Sequence, residues 1–470
     1  MKQLLKLSAF ALLVALFAAC NSDDESDGKV TIEPNAVFLD WGETVTVTFS
    51  GINIKSFSLG SYPEKWPEPQ INTSAKTLTF TAPAQSDEVP STGSIRVNGI
   101  TKGGEQIGAS LYVSLGTLDV DFSNAPANCY IANKANAHYT FDATVKGNGD
   151  GKIVPDRVSV VWQTQRNMIQ YLTLQGDKAS FYVAGTTDDE TVVKSGNALI
   201  GAFDAANNLL WSWHVWVSDF DPEQEAVLWN GYTVMDRHLG ALAVTTESND
   251  DILKGYGMYY QWGRKDPFWG PAFYNASKGT SATVYDGESN SVYMKMIPSS
   301  EGGTYAYTNA NPTHFITSAN KNEGWCSEMT NDVKGWNGSS KSENDPCPAG
   351  WRVAPTEAFA GLSIADDLTV DGATYANQYG WTLTNGADEA FCFAAGRRVY
   401  ADGFIQNVFD ESLTRNAATE AQPWVGYNWT ADGSIFAFWF NKADIAQSGL
   451  RNDLKMSTAN GMSVRCVREK

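Results

Sequence analysis

Thr44-Val45-Thr46-Val47-Thr48-Phe49 decides the class of the fold. Val45, Val47 and Phe49 fall on one side of an extended backbone and three threonines on the other, the period of two that a half-buried strand requires. β-branched residues on both faces suit a pleated sheet and disfavour a helix. Farther along the chain, Leu78/Phe80, Ile95/Val97 and Leu111/Val113/Leu115 repeat the alternation, separated by Pro, Gly and Ser. The segment from Val30 to about Gly116 is therefore expected to be a small antiparallel β-sandwich.

From Leu118 to about Pro222 the signal repeats. Tyr139, Phe141, Ala143 and Val145 alternate, and then Lys146-Gly147-Asn148-Gly149-Asp150-Gly151 turns the chain. A glycine cluster beside a lysine can cradle a phosphate, but no helical pattern follows, so a hairpin turn is the expectation. Asn207-Asn208 marks a second hairpin, between Ala198–Phe203 and Leu209–Val217. In its second strand Trp211, Trp213, Val215 and Val217 share one face, with His214 and Trp216 on the other. A tryptophan stripe can be a sugar platform, but period two beside valines points to core. His214 has no carboxylate or second histidine at ligand spacing, which favours a structural role. From about Ala226 to Lys470 the chain turns to irregular stretches rich in Gly, Asn, Trp and Ser. The clearest helix start there is Pro355-Thr356-Glu357, with Thr356 capping a helix to about Leu362.

With 470 residues, about three domains are the natural division. A net charge of −19 at pH 7 repels phosphate backbones and anionic lipid heads, so nucleic acid is not an expected partner. At the start, Lys2 and Lys6 precede an apolar run from Leu7 to Ala19, too short to span a bilayer, which is the pattern of a secretory signal. Of the six cysteines, Cys129, Cys326, Cys347, Cys392 and Cys466 follow Cys20. None lies in a CxxC pair, so neither a zinc knuckle nor a redox pair is expected.

Cys20 after Ala18-Ala19 resembles a bacterial lipobox, in which that thiol is lipidated and becomes the mature N-terminus. The stretch Asn21-Ser22-Asp23-Asp24-Glu25-Ser26-Asp27 resembles the export signal that sends lipoproteins of Bacteroides-type bacteria to the outer face of the outer membrane. Pro63-Glu64-Lys65-Trp66 followed by Lys76-Thr77-Leu78-Thr79-Phe80-Thr81-Ala82-Pro83 is similar to immunoglobulin-like spacer modules, the BACON type among them.

The specific motifs lie later. They are Val234-Met235-Asp236-Arg237-His238-Leu239-Gly240-Ala241, Gly257-Met258-Tyr259-Tyr260-Gln261-Trp262-Gly263-Arg264-Lys265-Asp266-Pro267-Phe268 and Asp345-Pro346-Cys347-Pro348-Ala349-Gly350-Trp351-Arg352-Val353. Ala394-Ala395-Gly396-Arg397-Arg398, Tyr427-Asn428-Trp429-Thr430 and Gly461-Met462-Ser463-Val464-Arg465-Cys466-Val467-Arg468 complete the set. Together they resemble the Fibrobacter succinogenes major paralogous domain of bacterial surface proteins, which is similar to C-type-lectin-like folds and distantly to the formylglycine-generating enzyme. The resemblance implies a mainly β protein with an α+β C-terminal domain: two Ig-like β-sandwiches followed by a C-type-lectin-like domain. The expected division is 1–19 signal peptide, 20–29 acidic tether, 30–117 and 118–225 sandwiches, and 226–470 head. In lectin-like folds the two ends of the module meet, which implies a Cys347–Cys466 bridge. Asp236-Arg237 and Arg264-Lys265-Asp266 read most simply as structural ion pairs and turn caps.

The expected role is that of an outer-membrane, lipid-anchored surface protein presenting a binding head. Its ligand would be a glycan or protein on a host or neighbouring cell. A cell-surface fimbrial accessory or tip subunit, with fimbrial partners, is the alternative. Catalysis is the remote third reading: neither HExxH nor GxSxG occurs, and Cys392 and Cys466 do not recreate the paired reactive cysteines of the formylglycine-generating enzyme. Glu33-Pro34-Asn35, a calcium-lectin-like triplet, lies in the wrong module, so no metal and no cofactor is expected. The run from Trp424 to Trp429 followed by Phe436-Ala437-Phe438-Trp439-Phe440 carries more aromatics than one small core layer needs. Trp424, Tyr427, Trp439, Arg451 and Asp453 are therefore the candidate ligand-binding residues.

Overall fold

The threonine–valine alternation becomes a ladder. Thr44–Ile52 lies between Lys29–Glu33 and Thr77–Thr81, antiparallel to both, with Val47 opposite Leu78 and Thr46 opposite Thr79. Gln70–Asn72 completes that four-stranded sheet, and Ala36–Leu39, Gln106–Leu115, Thr92–Thr101 and Ile54–Leu59 form the other. Val47, Phe49, Leu78 and Phe80 of one sheet share a buried core with Ile95, Val97, Leu111 and Val113 of the other. Each such side chain removed from water contributes about 1.5–3 kcal/mol. The threonines face outward and pair across strands: Thr44 with Thr81 at 2.9 Å and Thr46 with Thr79 at 2.8 Å.

The computed structural model describes residues 28–149, 151–186, 188–189, 191–270, 281–328, 335–365, 379–408, 424–440 and 448–470. They fall into two units, Met1–Thr117 and Leu118–Lys470. Among the described residues, no helix is long and apolar enough to cross a membrane.

In the second unit a six-stranded sheet runs in the order Cys129–Ala132, Leu209–Val217, Gly196–Phe203, Arg157–Gln163, Ser281–Tyr285, Ser291–Tyr293. Facing it is a sheet of Gln170–Gln175, Lys178–Val183, Ala137–Asp142 and Leu118–Asp121. Both hairpins expected from sequence form: Val145–Lys146 pairs with Gly151–Lys152, and Asn207, at φ 68°, turns the chain into Leu209–Val217. Trp211, Trp213, Val215 and Val217 pack with Tyr139, Phe141 and Phe181 between the two sheets.

The expected boundary between 225 and 226 is corrected by the other face of the same strands. Trp216 and Leu199 point away from that core and join a second one with Tyr260, Trp269, Cys347 and Met462. The Ser281–Tyr285 and Ser291–Tyr293 strands, from the sequence's third module, finish the sheet of its second. Asn128 ties them further: its amide donates to the carbonyls of Glu343 (2.7 Å) and Asp345 (2.8 Å) and accepts from the Trp211 indole (3.0 Å). Residues 118–225 and 226–470 are one body because both faces of Leu209–Val217 are buried, one among the aromatics between the sheets and the other, with Trp216, Ser212 and His214, against the later chain.

The remainder is also mainly β. One sheet runs Ala226–Trp229, Tyr232–Met235, Cys466–Arg468, Trp351–Val353, and another includes Arg397–Arg398, Gly461–Val464, Trp424–Trp429, Ile435–Phe440 and Gly449–Leu454. Helices among the described residues are short, Asn249–Gly255 being the longest, capped by the Ser248 side chain on the Asp251 amide. The helix expected from Thr356 to Leu362 is only a 3-10 turn, Thr356–Phe359. Its threonine hydroxyl donates to the Asp432 carboxylate at 2.7 Å instead of capping.

Candidate functional site

Irregular chain leaves backbone carbonyls without ladder partners, and buried carbonyls demand donors. The charged motif residues supply them. Arg264, 2% exposed, donates to the Gln261 side chain (2.9 Å) and the His314 carbonyl (2.8 Å). Gln261 donates to the carbonyls of Ile316 and Ala459, both at 2.7 Å. Arg398 holds the carbonyls of Trp269 (2.7 Å) and Gly403 (2.8 Å), and Arg465 that of Asp236 (2.7 Å). Burial lowers the Arg264 guanidinium to about 10, which leaves it protonated at neutral pH.

Lys265 and Asp266 form a buried pair at 2.6 Å. The ammonium also donates to the Ser212 carbonyl (3.0 Å), and the Ser212 hydroxyl donates to Asp266 (2.7 Å). Burial lowers the lysine below its ordinary value, and Asp266 opposes that shift. Asp236 and Arg237 pair at 2.7 Å. His214 sits between Asn197 (2.8 Å) and the Tyr260 hydroxyl (3.3 Å), and burial drives it down to about 3, so it is neutral at physiological pH. Among the described residues, no group of three or more His, Cys, Asp or Glu is placed to hold a metal ion.

Asp345 organises the turn that its motif predicts. Its carboxylate accepts from the amides of Cys347 and Val353, both at 2.9 Å, and from Lys341 at 2.8 Å. Lys341 in turn donates to the carbonyls of Cys347 and Trp351. The structure brings Cys347 and Cys466 together in a disulfide, with Cα atoms 6.0 Å apart. Cys129, Cys326 and Cys392 are buried thiols. Cys20 lies outside the described residues.

Of the five proposed ligand-binding residues, the four whose side chains are described do not form one exposed surface. Trp424 (7% exposed) and Tyr427 (2%) are core residues, which corrects their placement on a recognition surface. Trp424–Trp429 lies between Ile435–Phe440 and Gly461–Val464, so both of its edges are paired, and all six of its residues are buried, so neither face is open. The aromatic surplus is divided between two cores: Tyr427 and Trp429 serve one, Trp424, Phe436 and Phe438 the other. Trp439 is half-buried, edge-on to Tyr427 at 6.5 Å, and Arg451 is exposed on the same face, by the register Ala437 to Arg451. The side chain of Asp453 is outside what the structure describes.

A feature that sequence reading missed is a cleft of about 620 Å³ lined by Arg157, Ser159, Tyr171, Leu172, Asp286 and Glu288, among others. It opens between the Arg157–Gln163 strand, the Gln170–Gln175 strand of the facing sheet, and the 286–290 turn of the inserted hairpin. Tyr171 sits at φ 51°, in the left-handed region, within a register shift between Gln170 and Thr173. A bulky residue there costs on the order of 1–3 kcal/mol, and such outliers cluster at functional sites. Asp286 shapes the turn: its carboxylate accepts from the amides of Glu288 (2.9 Å) and Asn290 (2.8 Å) and from the Asn290 side chain (3.1 Å). These bonds outweigh desolvation, the largest single influence, and hold the group below its ordinary value. The sequence around Tyr171 carries no signal of this, because the cleft is made by chain more than a hundred residues away.

No protein-family model matches the chain, and no curated protein matches it. Among solved structures it is similar to the D00-D0 domain of intimin, at 11% identity over 40% of this chain and 96% of that one, with a TM-score of 0.15. The BIgI domain of beta protein from S. agalactiae, bound to CEACAM1, matches at 11% identity over 19% and 95%, TM-score 0.15. A Bacteroides ovatus SGBP-B in complex with a mixed-linkage heptasaccharide matches at 13% identity over 39% of this chain and 42% of that one, TM-score 0.11. Scores this low carry no argument about fold or function.

Proposed function

We propose that the chain is a lipid-anchored surface protein that recognises a ligand, an adhesin or related binding protein of the outer membrane. Lipidation at Cys20 and the acidic tether behind it place it on the outer face. The Met1–Thr117 unit acts as an Ig-like spacer, and the Leu118–Lys470 unit, in part C-type-lectin-like, is the head. One observation supports binding over catalysis. Arg264, Lys265, Arg398 and Arg465 end on backbone carbonyls and Asp345 on backbone amides, so the motif charges form a frame for loops. Loops held on a rigid frame suit recognition.

The test uses the chain without its first 27 residues on a glycan array and in a pull-down from neighbouring cell surfaces. A saturable glycan or surface protein is the expected result. Turnover of a glycan or peptide, abolished by replacing one carboxylate, would revive the enzymatic reading, and co-purified fimbrial subunits would favour the structural one. In cells, Cys20→Ala should release the protein from membranes, and complete protection of the parent protein from added protease would argue against surface display.

A further inference from the structure

The cleft on the second unit lies where two strand edges meet. The Arg157–Gln163 strand pairs with Ser281–Tyr285 only at Gln163, and Gln170–Gln175 is the outermost strand of the facing sheet. The inserted hairpin closes one end, the Gly287 amide donating to the Val160 carbonyl at 3.3 Å. The volume of about 620 Å³ falls within the roughly 300–1,000 Å³ of small-molecule sites.

The lining is mixed in a particular way. Arg157 is held with its guanidinium 4.0 Å from the Phe203 ring and hydrogen-bonded to Asn207, so it is oriented in advance. Asp286 is committed to its own turn, while Glu288 beside it is exposed. Ser159 adds a hydroxyl, and Tyr171, re-aimed by its bulge, adds an aromatic ring beside the apolar Leu172.

We infer that this cleft binds a neutral oligosaccharide, with Tyr171 stacking on the C–H face of one ring and Arg157, Ser159 and Glu288 addressing its hydroxyls. The inference rests on the binding role proposed above and names its ligand class. The lining mixes Arg157 with Asp286 and Glu288 and holds no cluster of cations for a polyanion, whereas a hydroxyl-rich ligand uses donors and acceptors alike. An aromatic ring amid polar groups matches a ligand that is apolar on one face and polar at its rim. Strand addition by a peptide is the weaker fit, because the open edge runs only from Arg157 to Val160 and the hairpin already takes the Val160 carbonyl.

The experiment titrates the chain lacking its first 27 residues with cello-, manno-, laminari- and chito-oligosaccharides, an acidic hyaluronan fragment and a library of extended peptides. At least one neutral oligosaccharide should bind. Gly287→Leu should weaken it by roughly tenfold or more by filling the cleft. A side chain fits there, since a Cβ at Gly287 would meet Val160 no closer than 3.5 Å. Tyr171→Gly should weaken it as much while leaving the melting temperature within a few degrees, because glycine suits φ 51° without strain. Glu288→Gln should cost severalfold, and Trp439→Ala and Arg451→Ala nothing. If a glycan binds and neither Gly287→Leu nor Tyr171→Gly changes its affinity, the cleft assignment fails and the binding role stands. Hyaluronan or peptides binding in its place, with the same dependence on Tyr171, overturn the ligand class. If no oligosaccharide, array glycan or surface protein binds, both proposals fall.

Discussion

The two units hold themselves together by different means. Among the described residues of Met1–Thr117 the buried ones are nearly all apolar, Thr101 and Ser114 being the polar exceptions. Two regular sheets satisfy their own backbone, so the core can be greasy throughout. In Leu118–Lys470, Arg264, Lys265, Asp266, Asp345, Arg398 and Arg465 are buried along with His214 and His238. There the long irregular stretches cannot pair with one another in ladders, and side chains replace the missing donors and acceptors. One architecture tolerates substitution of similar volume. The other depends on individual charges, and removing one leaves a buried partner uncompensated.

The largest expected contrast comes from the disulfide, which the first unit lacks. Cys347→Ser with Cys466→Ser opens a closure spanning 119 residues, worth about 4–5 kcal/mol in the chain-entropy view. Denaturant unfolding should lose that much from the second unit's transition and nothing from the first's. An unchanged second transition would mean that packing alone closes the module. Next is Asp266→Ala, which strands the buried Lys265 ammonium and should cost about 3–5 kcal/mol, again in the second unit only. A loss below about 1 kcal/mol would show that Ser212 suffices as a partner.

The smallest effect per side chain is one of pH. All four histidines, His138, His214, His238 and His314, lie in the second unit. His214 is lowered from 6.5 to about 3 by burial, and His238 is pushed well below its ordinary value by burial and by Arg465. The unfolded chain therefore takes up protons below about pH 6.5 that the folded unit refuses, His214 until about pH 3. Stability of the second unit is present above pH 6.5 and falls through that window, by up to about 1.4 kcal/mol per pH unit for each such histidine. Urea midpoints at pH 7 and pH 5 should diverge for the second unit and stay level for the first, and His214→Asn should reduce the divergence. Equal shifts in the two units would show that the buried histidines do not set the second unit's acid sensitivity.

The same contrast explains how much could be read from the sequence. Val47 and Leu78 were legible because period-two alternation states directly which side faces a core. Lys265-Asp266 and Asp236-Arg237 were legible as pairs because adjacent opposite charges need little geometry to meet. Periodicity cannot say which core a face joins, so Trp216 and Leu199 gave no warning that residues 118–225 are welded to residues 226–470. Trp424 and Tyr427 look surplus only when the run is counted against one layer, and two cores divide it. Thr356 looks like a cap because Asp432, which takes its hydroxyl, is distant in sequence. The cleft was invisible for a related reason: Tyr171 and Glu288 become neighbours only once a later hairpin adds itself to an earlier sheet.

The position of the Cys466–Arg468 strand sets a clock. It lies between Tyr232–Met235 and Trp351–Val353, with Val467 opposite both Val234 and Arg352. A chain emerging from its N-terminus can finish the first unit after about residue 117, but the second must wait for nearly four hundred and seventy residues. Until then its tryptophans and unpaired strand edges stand exposed, the state most open to aggregation and to capture by chaperones. Synthesis thus yields a finished first unit long before a finished second one, and the strand at 466–468 is the one that locks the earlier ones together.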